Sequence, residues 1–225
     1  HQPNDYPAVK DKRAGVQDMG SQLVAEIFAA TLDSSAANWL DLCAGPGGKA
    51  ALINNILKMS APEVSFTANE PTVHRAELVA RVVPNSQIIT LDGRNFEDFP
   101  IKYDRILIDA PCSGLGALRR RPEARWRRSL NDLKELIPLQ RDLIDSAYQM
   151  LNPGGIIGFA TCSPLLAETK AQVLDAKYRF KDLELIDIST YSPAGSTGVL
   201  PDGTLQLWTH TDGSDSMFMA LLRKK

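Results

Sequence analysis

Short apolar segments alternate with longer segments of helical periodicity along the 225-residue chain. The apolar segments have the length of buried strands, and the segments between them carry apolar residues three and four positions apart, as amphipathic helices do. The predicted strands are 39–42, 64–70, 87–91, 103–109, 156–160, 183–188, 205–208 and 216–222. Strands that alternate with helices indicate an α/β fold with a doubly wound, mostly parallel sheet of about seven strands. The last strands have no clear helix between them, which predicts an antiparallel edge strand.

The helical segments begin and end at recognisable signals. The predicted helices are 21–32, 49–57, 71–83, 133–151 and 164–178. Ser21 is the expected N-cap of the first helix, and residues 152–155 are expected to form a turn. Residues 1–13 are polar and contain proline, which predicts an extended lead-in. We therefore expect an N-terminal extension with its helix at 1–34 and one domain at 35–225.

Composition narrows the class of protein. The chain is 44% hydrophobic with a net charge of −2, ordinary values for a globular protein, and it contains no apolar stretch of the length a membrane helix needs. It begins at His1 without a methionine or a signal-peptide pattern, which is compatible with a fragment that lacks an N-terminal domain. We expect a cytoplasmic monomer with no membrane contact.

The segment around Asp109 organises the predicted sheet. Residues 106–109 have the apolar character of a buried central strand, and Pro111 and Cys112 follow in a turn. In open α/β sheets, ligands bind at the carboxyl ends of the strands. A carboxylate and a thiol at that edge therefore predict a reaction site.

The glycine-rich turn after the first strand predicts a cofactor site at a helix N-terminus. A Walker A loop would need Ser or Thr at position 50 and glycine at position 43, but the chain has Ala50 and Cys43. A dinucleotide fingerprint would need glycine at position 50 and fits only in a relaxed form. S-adenosylmethionine carries no phosphate and fits best, because three strands in succession end in an acid. Asp41 is expected near its methionine moiety, Glu70 at the ribose and Asp92 at the adenine.

The predicted cofactor site includes these acids, the glycine turn and their neighbours. Its members are Asp41, Cys43, Ala44, Gly45, Pro46, Gly47, Gly48, Lys49, Glu70, Arg75, Asp92, Gly93, Asp109 and Pro111.

The positions of the three cysteines in the chain indicate a possible chemical role. Cys43, Cys112 and Cys162 are an odd count at wide spacings, which disfavours a disulfide framework and a metal site, so we expect no metal. Cys112 and Cys162 follow neighbouring strands of the predicted sheet and can face one pocket. A thiolate there is a good nucleophile if the surroundings lower its pKa, whereas the alternative is a pair of inert buried thiols.

An arginine-rich segment follows the Pro-Cys turn. Its members are Arg119, Arg120, Arg121, Arg125, Arg127 and Arg128. A charge cluster is often only a solvated face, but Trp126 interrupts this one and Pro122 stiffens it, which favours an anion-binding loop.

Four motifs together resemble the Sun/Fmu-type RNA cytosine-5 methyltransferases of the Nol/Nop/Sun family. They are Asp41-Leu-Cys-Ala-Gly-Pro-Gly-Gly-Lys49, Asp109-Ala-Pro-Cys-Ser-Gly114, Arg121-Pro-Glu-Ala-Arg-Trp126 and Ala160-Thr-Cys-Ser163. The resemblance covers nearly the whole chain and implies the Rossmann-like fold of class I methyltransferases, S-adenosylmethionine as cofactor and RNA as partner. The RNA it implies is small-subunit (16S) ribosomal RNA, and we predict that the arginine-rich segment contacts its backbone.

The resemblance also implies residue roles. Cys162 is the nucleophile that adds to carbon 6 of cytosine, and Cys112 assists product release. Asp109 contacts or protonates the ring nitrogen as a general acid. Lys49 lies near the same pocket, either beside the pyrimidine or paired with an acid, with a solvated helix-start lysine as the alternative.

Other functions remain open from the sequence alone. DNA cytosine-5 methyltransferases use a Pro-Cys nucleophile, which would assign the reaction to Cys112 instead of Cys162. A methyltransferase acting on amine nitrogens needs no thiol, and a non-catalytic RNA-binding module needs neither thiols nor cofactor acids. An oxidoreductase is a poor fit to the glycine pattern.

Overall fold

A computed structural model describes residues 5–11 and 14–225 of the chain. Its centre is one eight-stranded sheet with the order β3-β2-β1-β4-β5-β8-β6, in which the short β7 also pairs with β8. The strands are β1 Asn38–Asp41, β2 Ser65–Asn69, β3 Gln87–Ile89, β4 Tyr103–Asp109, β5 Leu151–Thr161, β6 Leu183–Ile186, β7 Leu205–Gln206 and β8 Phe218–Lys224.

Helices cover both faces of this sheet. They are α1 Pro7–Lys10, α2 Met19–Ala29, α3 Gly48–Ser60, α4 Val73–Val82, α5 Ala124–Arg127, α6 Leu130–Met150, α7 Lys170–Arg179 and α8 Thr209–Asp212. Within the described ranges, no helix is both long and apolar enough to cross a membrane.

The sheet confirms the predicted doubly wound, mostly parallel architecture. Strands β1 to β5 pair in parallel, and the chain order reverses between β1 and β4. Strand β8 is antiparallel to both of its main neighbours, β5 and β6. It lies one position inside the sheet edge, because β6 returns to cover it. The crevice outside the carboxyl ends of β1 and β4 is the expected ligand position in such a sheet.

Alternating side chains of the central strands supply two cores. Trp39 and Leu107 point into the core beneath α2 and α3, where Trp39 meets Phe28 edge to face at 5.2 Å. Leu40 and Ile106 point to the opposite face, beneath α6 and α7. Because both faces are buried, these strands are apolar on both sides, which is why the sequence shows continuous apolar segments there.

Helix α2 is tied to the sheet by a buried arginine. The Arg105 guanidinium, 2% exposed, donates two hydrogen bonds to the Thr31 carbonyl just beyond the helix. The helix also buries Val24 and Phe28 in the core beneath the sheet. The helix of the N-terminal region therefore packs as part of the same body as the sheet.

Two expectations for the N-terminal region need correction. Asp18, not Ser21, is the N-cap of α2, and it accepts a hydrogen bond from Gly20 N. The Ser21 hydroxyl instead accepts a bond from the Gln17 amide. The lead-in predicted as extended contains the short helix α1, and its residues 1–4 and 12–13 lie outside the described part.

Two further boundaries differ from the prediction. The expected turn at 152–155 lies within β5 as an irregularity, where the pairing register with β4 shifts and Gly154 adopts a left-handed φ of 78°. The helix expected from Pro164 begins at Lys170 instead. A short 3-10 turn, Leu166–Glu168, precedes it because the Glu168 side chain turns inward to bind buried serines.

Candidate active site

The carboxyl ends of β1, β4 and β5 converge on one crevice, as predicted. Asp41 ends β1, Asp109 ends β4, and Cys162 follows the last residue of β5. The parallel register places Asp41 opposite Leu107 and Asp109 opposite Ala160. The acids and the thiols therefore meet at neighbouring strand ends although they are far apart in the sequence.

The two thiols lie in contact. The Sγ atoms of Cys112 and Cys162 are 3.4 Å apart. Backbone bonds join their loops, since Ala110 N donates to Ala160 O and Gly116 N donates to Cys162 O. Gly116 must be glycine for this approach, because a Cβ atom would lie 2.1 Å from the Ser216 carbonyl oxygen. The predicted convergence of the thiols is thus present.

The surroundings make the two thiols unequal. The pKa of Cys162 is lowered chiefly because the Cys112 S–H can donate to its thiolate, and the positive charge of Lys49 acts in the same direction. The pKa of Cys112 is raised well above its ordinary value, because it keeps its proton in the bond to Cys162 and is buried. Of the two sulfurs, Cys162 is therefore the one at which the arrangement stabilises a thiolate, and Cys112 is the one that keeps its proton.

Lys49 and Asp109 form an ion pair beside these thiols. Lys49 lies in the first turn of α3, and its Nζ is 2.8 Å from Asp109 Oδ2. Burial by itself would lower the pKa of Lys49, but the contact with Asp109 outweighs it and raises the pKa. Of the alternatives open from the sequence, Lys49 is therefore the lysine paired with an acid. The pair brings a held proton and a carboxylate to the edge of the thiol pocket.

Asp41 is a buried acid, and one of its carboxylate oxygens accepts no hydrogen bond from the described residues. Its Oδ1 accepts a 3.3 Å bond from Cys43 N, whereas its Oδ2 has no partner among the described residues. Burial, reinforced by the negative charge of Asp109, raises the pKa of Asp41 to about 7. A cationic ligand group placed there would gain a charge-assisted hydrogen bond. Cys43 itself is inert, because burial and the charge of Asp41 raise the pKa of its thiol.

The glycine turn is shaped to admit the Glu70 carboxylate. A Cβ atom at Gly45 would lie 2.1 Å from Glu70 Oε2, so a larger residue there would require the Glu70 carboxylate to move from its observed position. Arg75 donates a 2.8 Å bond to the Gly45 carbonyl and lies 3.4 Å from Glu70. Gly47 has a φ of 105°, a left-handed conformation that favours glycine. Arg75 thus holds the turn and Glu70 together.

The remaining predicted cofactor residues occupy mixed positions. Both oxygens of Asp92 accept bonds from Arg94, and Gly93 is buried against Leu143. Pro46 and Gly48 are exposed at the turn, Ala44 is buried beneath it, and the Pro111 carbonyl accepts a bond from Gln140. Asn69, which the sequence analysis missed, joins the ends of β1, β2 and β3 through Leu42 and Leu91. A polar residue ending an apolar strand was the available signal.

The six arginines divide into two groups. Arg119 and Arg120 pair with Asp18 and Asp215, carboxylates whose side chains are 3% exposed, so they help to hold the fold. Arg121, Arg125, Arg127 and Arg128 are exposed, and the described residues provide them with no carboxylate partner. Only this second group is fully available to an external anion.

A groove adjoins the thiol loops on the side of these arginines. Its volume is about 590 Å³, and its lining includes Gly116, Pro164, Arg125, Trp208 and His210. The Trp208 and His210 rings lie 6.2 Å apart. An exposed aromatic pair next to arginines suits stacked bases. Sequence reasoning assigned residues 205–208 to a strand and gave the two rings no role, although an exposed Trp-x-His after a strand was a usable signal.

The described part of the chain contains no cluster of His, Cys, Asp or Glu side chains arranged to hold a metal. The buried orphan oxygen of Asp41 and the glycine cradle beside Glu70 fit a ligand with a cationic amino group at one end and hydroxyl groups at the other. A nucleoside that carries an amino acid meets both requirements.

Comparison with solved structures identifies the fold. NSun6 from Pyrococcus horikoshii with SFG superposes with a TM-score of 0.84 at 24% identity, over 100% of this chain and 56% of that one. A methyltransferase homologue from the same organism gives 0.78 at 21% identity, over 100% and 72%. The fold is that of the class I methyltransferases.

The chain belongs to the 16S rRNA methyltransferase RsmB/F family, whose model matches residues 29–223. A Mycobacterium tuberculosis protein provisionally named a methyltransferase is 46% identical over 99% of this chain and 48% of its own length. Ribosomal RNA small subunit methyltransferase B of Erwinia tasmaniensis is 34% identical over 93% of this chain and 47% of its own length. The resemblance drawn from the four motifs is confirmed. The chain spans about half the length of these relatives.

Proposed function

We propose that this protein is an S-adenosylmethionine-dependent RNA cytosine-5 methyltransferase acting on 16S ribosomal RNA in the cytoplasm. The observation that carries the proposal is the pair of sulfur atoms 3.4 Å apart beside the Lys49–Asp109 ion pair. A methyltransferase acting on amine nitrogens has no use for two thiols at this position. The family membership and the rRNA methyltransferase names of the relatives support the substrate.

Cys162 is the proposed nucleophile. Cytosine carbon 5 is a weak nucleophile until a group adds at carbon 6 and makes carbon 5 enamine-like. The thiolate favoured at Cys162 can form that sulfur–carbon bond, and the electron pair moves through carbon 5 toward the ring carbonyl and nitrogen. Asp109 would face the ring nitrogen and act as the general acid, passing on to that nitrogen the proton that Lys49 holds in the ion pair.

Cys112 is the proposed release residue. After methylation, carbon 5 must lose its proton before the electrons of that C–H bond can restore the ring double bond and expel the Cys162 sulfur as thiolate. The Cys112 S–H lies where it can donate to the departing Cys162 sulfur and so assist its elimination as thiolate, while the proton of carbon 5 passes to solvent water. Because the thiolate is stabilised at Cys162 and Cys112 keeps its proton, Cys162 is assigned the attack and Cys112 the release. This disfavours the DNA-type alternative, in which Cys112 of the Pro-Cys turn would be the nucleophile.

The cofactor position follows from the acids. When bound, S-adenosylmethionine supplies an electrophilic methyl group on a sulfonium. The free oxygen of Asp41 would receive its amino group, and Glu70 beside Gly45 would accept from its ribose hydroxyls. We keep Asp92 as the adenine-side acid, although its oxygens bind Arg94 until a ligand competes for them.

The RNA approaches from the arginine side. A cytosine must leave its stack to reach a buried thiol pocket, so single-stranded or loop RNA is the expected substrate. Arg121, Arg125, Arg127 and Arg128 would contact phosphates, which positions the strand without reading its sequence. The groove beside Trp208 would receive bases next to the target.

Labelled-methyl transfer tests the proposal. The protein is incubated with methyl-labelled S-adenosylmethionine and 16S ribosomal RNA, the product nucleosides are separated, and bisulfite sequencing locates the modified cytosine. We expect label in 5-methylcytidine. Label on a nitrogen of any nucleoside, or on protein alone, would contradict the proposed reaction, and binding of RNA without any transfer would favour a non-catalytic module.

A further inference from the structure

Glu168 is a fully buried acid that the mechanism above leaves without a role. Its side chain, 0% exposed, points beneath both cysteine loops. It accepts bonds from Ser113 N at 2.8 Å, from Ser113 Oγ at 2.6 Å and from Ser163 Oγ at 2.6 Å. Within residues 5–11 and 14–225, no lysine, arginine or histidine lies within ion-pair distance of it.

The two serines that bind Glu168 are the residues directly after the two reactive cysteines. Ser113 follows Cys112 in the loop after β4, and Ser163 follows Cys162 after β5. One oxygen, Oε2, accepts from both hydroxyl groups, so a single atom joins the two loops. Ser113 and Ser163 are 3% and 0% exposed, which excludes bulk water as a substitute acceptor.

Helix α6 supports this cluster from a third side. The buried Gln140 amide donates to Glu168 Oε1 at 3.2 Å and to the Pro111 carbonyl at 2.8 Å. The Pro-Cys loop is therefore held both through the backbone before Cys112 and through the serine after it. A network in which every donor points at one carboxylate allows few alternative arrangements.

Stability alone is a weak reason for an acid at this position. A buried carboxylate without a cation is costly unless hydrogen bonds compensate it, and an apolar group of similar volume commonly serves a core as well or better. What the carboxylate provides and an apolar group does not is a directional link between two particular hydroxyl groups. That link lies one residue from each sulfur.

We propose that Glu168 is a positioning residue that clamps the Cys112 loop to the Cys162 loop and thereby sets the distance between their sulfur atoms. The importance of Glu168 for catalysis rests on the proposed function. Its effect on the distance between the two sulfur atoms does not depend on that function. Without the clamp, the backbone bonds from Ala110 N to Ala160 O and from Gly116 N to Cys162 O still join the loops, but the segment between them can shift the Cys112 sulfur relative to the Cys162 sulfur. Asp41 and Glu70 lie on other strands, so the cofactor site should be unaffected.

A trivalent arsenical tests the distance without RNA or cofactor. Phenylarsine oxide bridges two neighbouring thiols, forming two As–S bonds and releasing one water, and a monothiol competitor removes it from a single thiol more easily than from a pair. The variants are Glu168→Gln, Ser113→Ala and Ser163→Ala. The matched control is Gln172→Ala, because buried Gln172 binds Ile137 O and Ala167 O near the same turn but touches neither cysteine loop.

We expect the wild type and Gln172→Ala to retain the arsenical equally, and each of the three clamp variants to release it about tenfold more readily. Mass spectrometry counts the bridged thiols. Equal retention in all folded variants would refute the clamp, and so would a loss in Gln172→Ala as large as in Glu168→Gln, since that would mean general loosening. If Glu168→Gln does not fold, the two serine variants decide the outcome.

Steady-state methyl transfer separates this inference from the proposed function. The clamp predicts a lower kcat in Glu168→Gln with the cofactor KM unchanged, whereas a merely structural role would lower the amount of active enzyme in proportion to unfolding. A wild type without any methyl transfer would refute the proposed function while leaving the arsenical result intact. A raised cofactor KM with unchanged kcat would refute the positioning role.

Discussion

Cys112→Ala should reduce the fraction of Cys162 present as thiolate. In the native protein the two sulfurs are 3.4 Å apart, and the lowered pKa of Cys162 depends first on that contact. Removing the donor leaves the burial of Cys162 and the negative charge of Asp109, both of which raise its pKa, opposed by Lys49. The thiolate becomes less stable relative to the thiol.

The size of the effect follows from the bond that is lost. A hydrogen bond to a charged group contributes about 1.5–3 kcal/mol, and the lower end applies because S–H is a weak donor. At a pH below the pKa of Cys162, about 1.5 kcal/mol corresponds to roughly a tenfold smaller thiolate fraction. Cys112→Ser keeps a donor of similar size and should retain most of the wild-type fraction.

Alkylation by iodoacetamide measures this fraction. The rate at Cys162 near pH 6, divided by its plateau rate at high pH, gives the thiolate fraction and cancels differences in access between variants. Peptide mapping follows the alkylation of Cys162 separately from that of Cys112 and Cys43. An unchanged ratio in Cys112→Ala would refute the argued coupling, as would faster alkylation of Cys112 than of Cys162 in the wild type.

Three further predictions concern the adduct, the cofactor acid and the arginines. Cys162→Ala should abolish any covalent RNA adduct on denaturing gels and Cys112→Ala should make it accumulate; the reverse pattern would exchange the two roles. Because burial raises the pKa of Asp41 from its ordinary 3.8 to about 7, protonated Asp41 stabilises the cofactor-free fold most at low pH, and this contribution is lost as pH rises through about 7. Thermal unfolding from about pH 5 to about pH 8 should show this loss in the wild type and lack it in Asp41→Asn, whereas parallel curves would contradict the assignment. Replacing Arg125 and Arg127 by Ala should weaken RNA binding and reduce the salt slope by about 1.4 for single-stranded RNA, and an unchanged slope would mean that neither contacts phosphate.

The prediction from sequence was strongest where local pattern decides structure. Strand β4 was predicted with its observed bounds, because a buried parallel strand must be apolar on both faces and Asp109 interrupts that pattern. The prediction from sequence was less accurate at helix caps and turns. Asp18 rather than Ser21 caps α2 because the Asp18 carboxylate also binds Asp215 N and Arg119, partners from distant parts of the chain.

The same distinction divides the arginines. All six occupy one segment and look equivalent in sequence. Arg119 and Arg120 are committed to buried carboxylates from other elements, and this could not be foreseen because Asp18 and Asp215 lie far away along the chain. The proposal of RNA contact is therefore limited to the exposed arginines.

The sequence by itself determined the order of strands and helices, the acids and thiols at the strand ends, and the family to which these motifs belong. Those features are local, since they depend on side-chain periodicity and on the residue types that end a strand. Only the tertiary structure decided that Cys112 keeps its proton, that Lys49 pairs with Asp109, and that Glu168 binds the serine beside each cysteine. Each of these depends on distances of about 3 Å between residues brought together by packing of the sheet, and no pattern along the chain encodes such a distance.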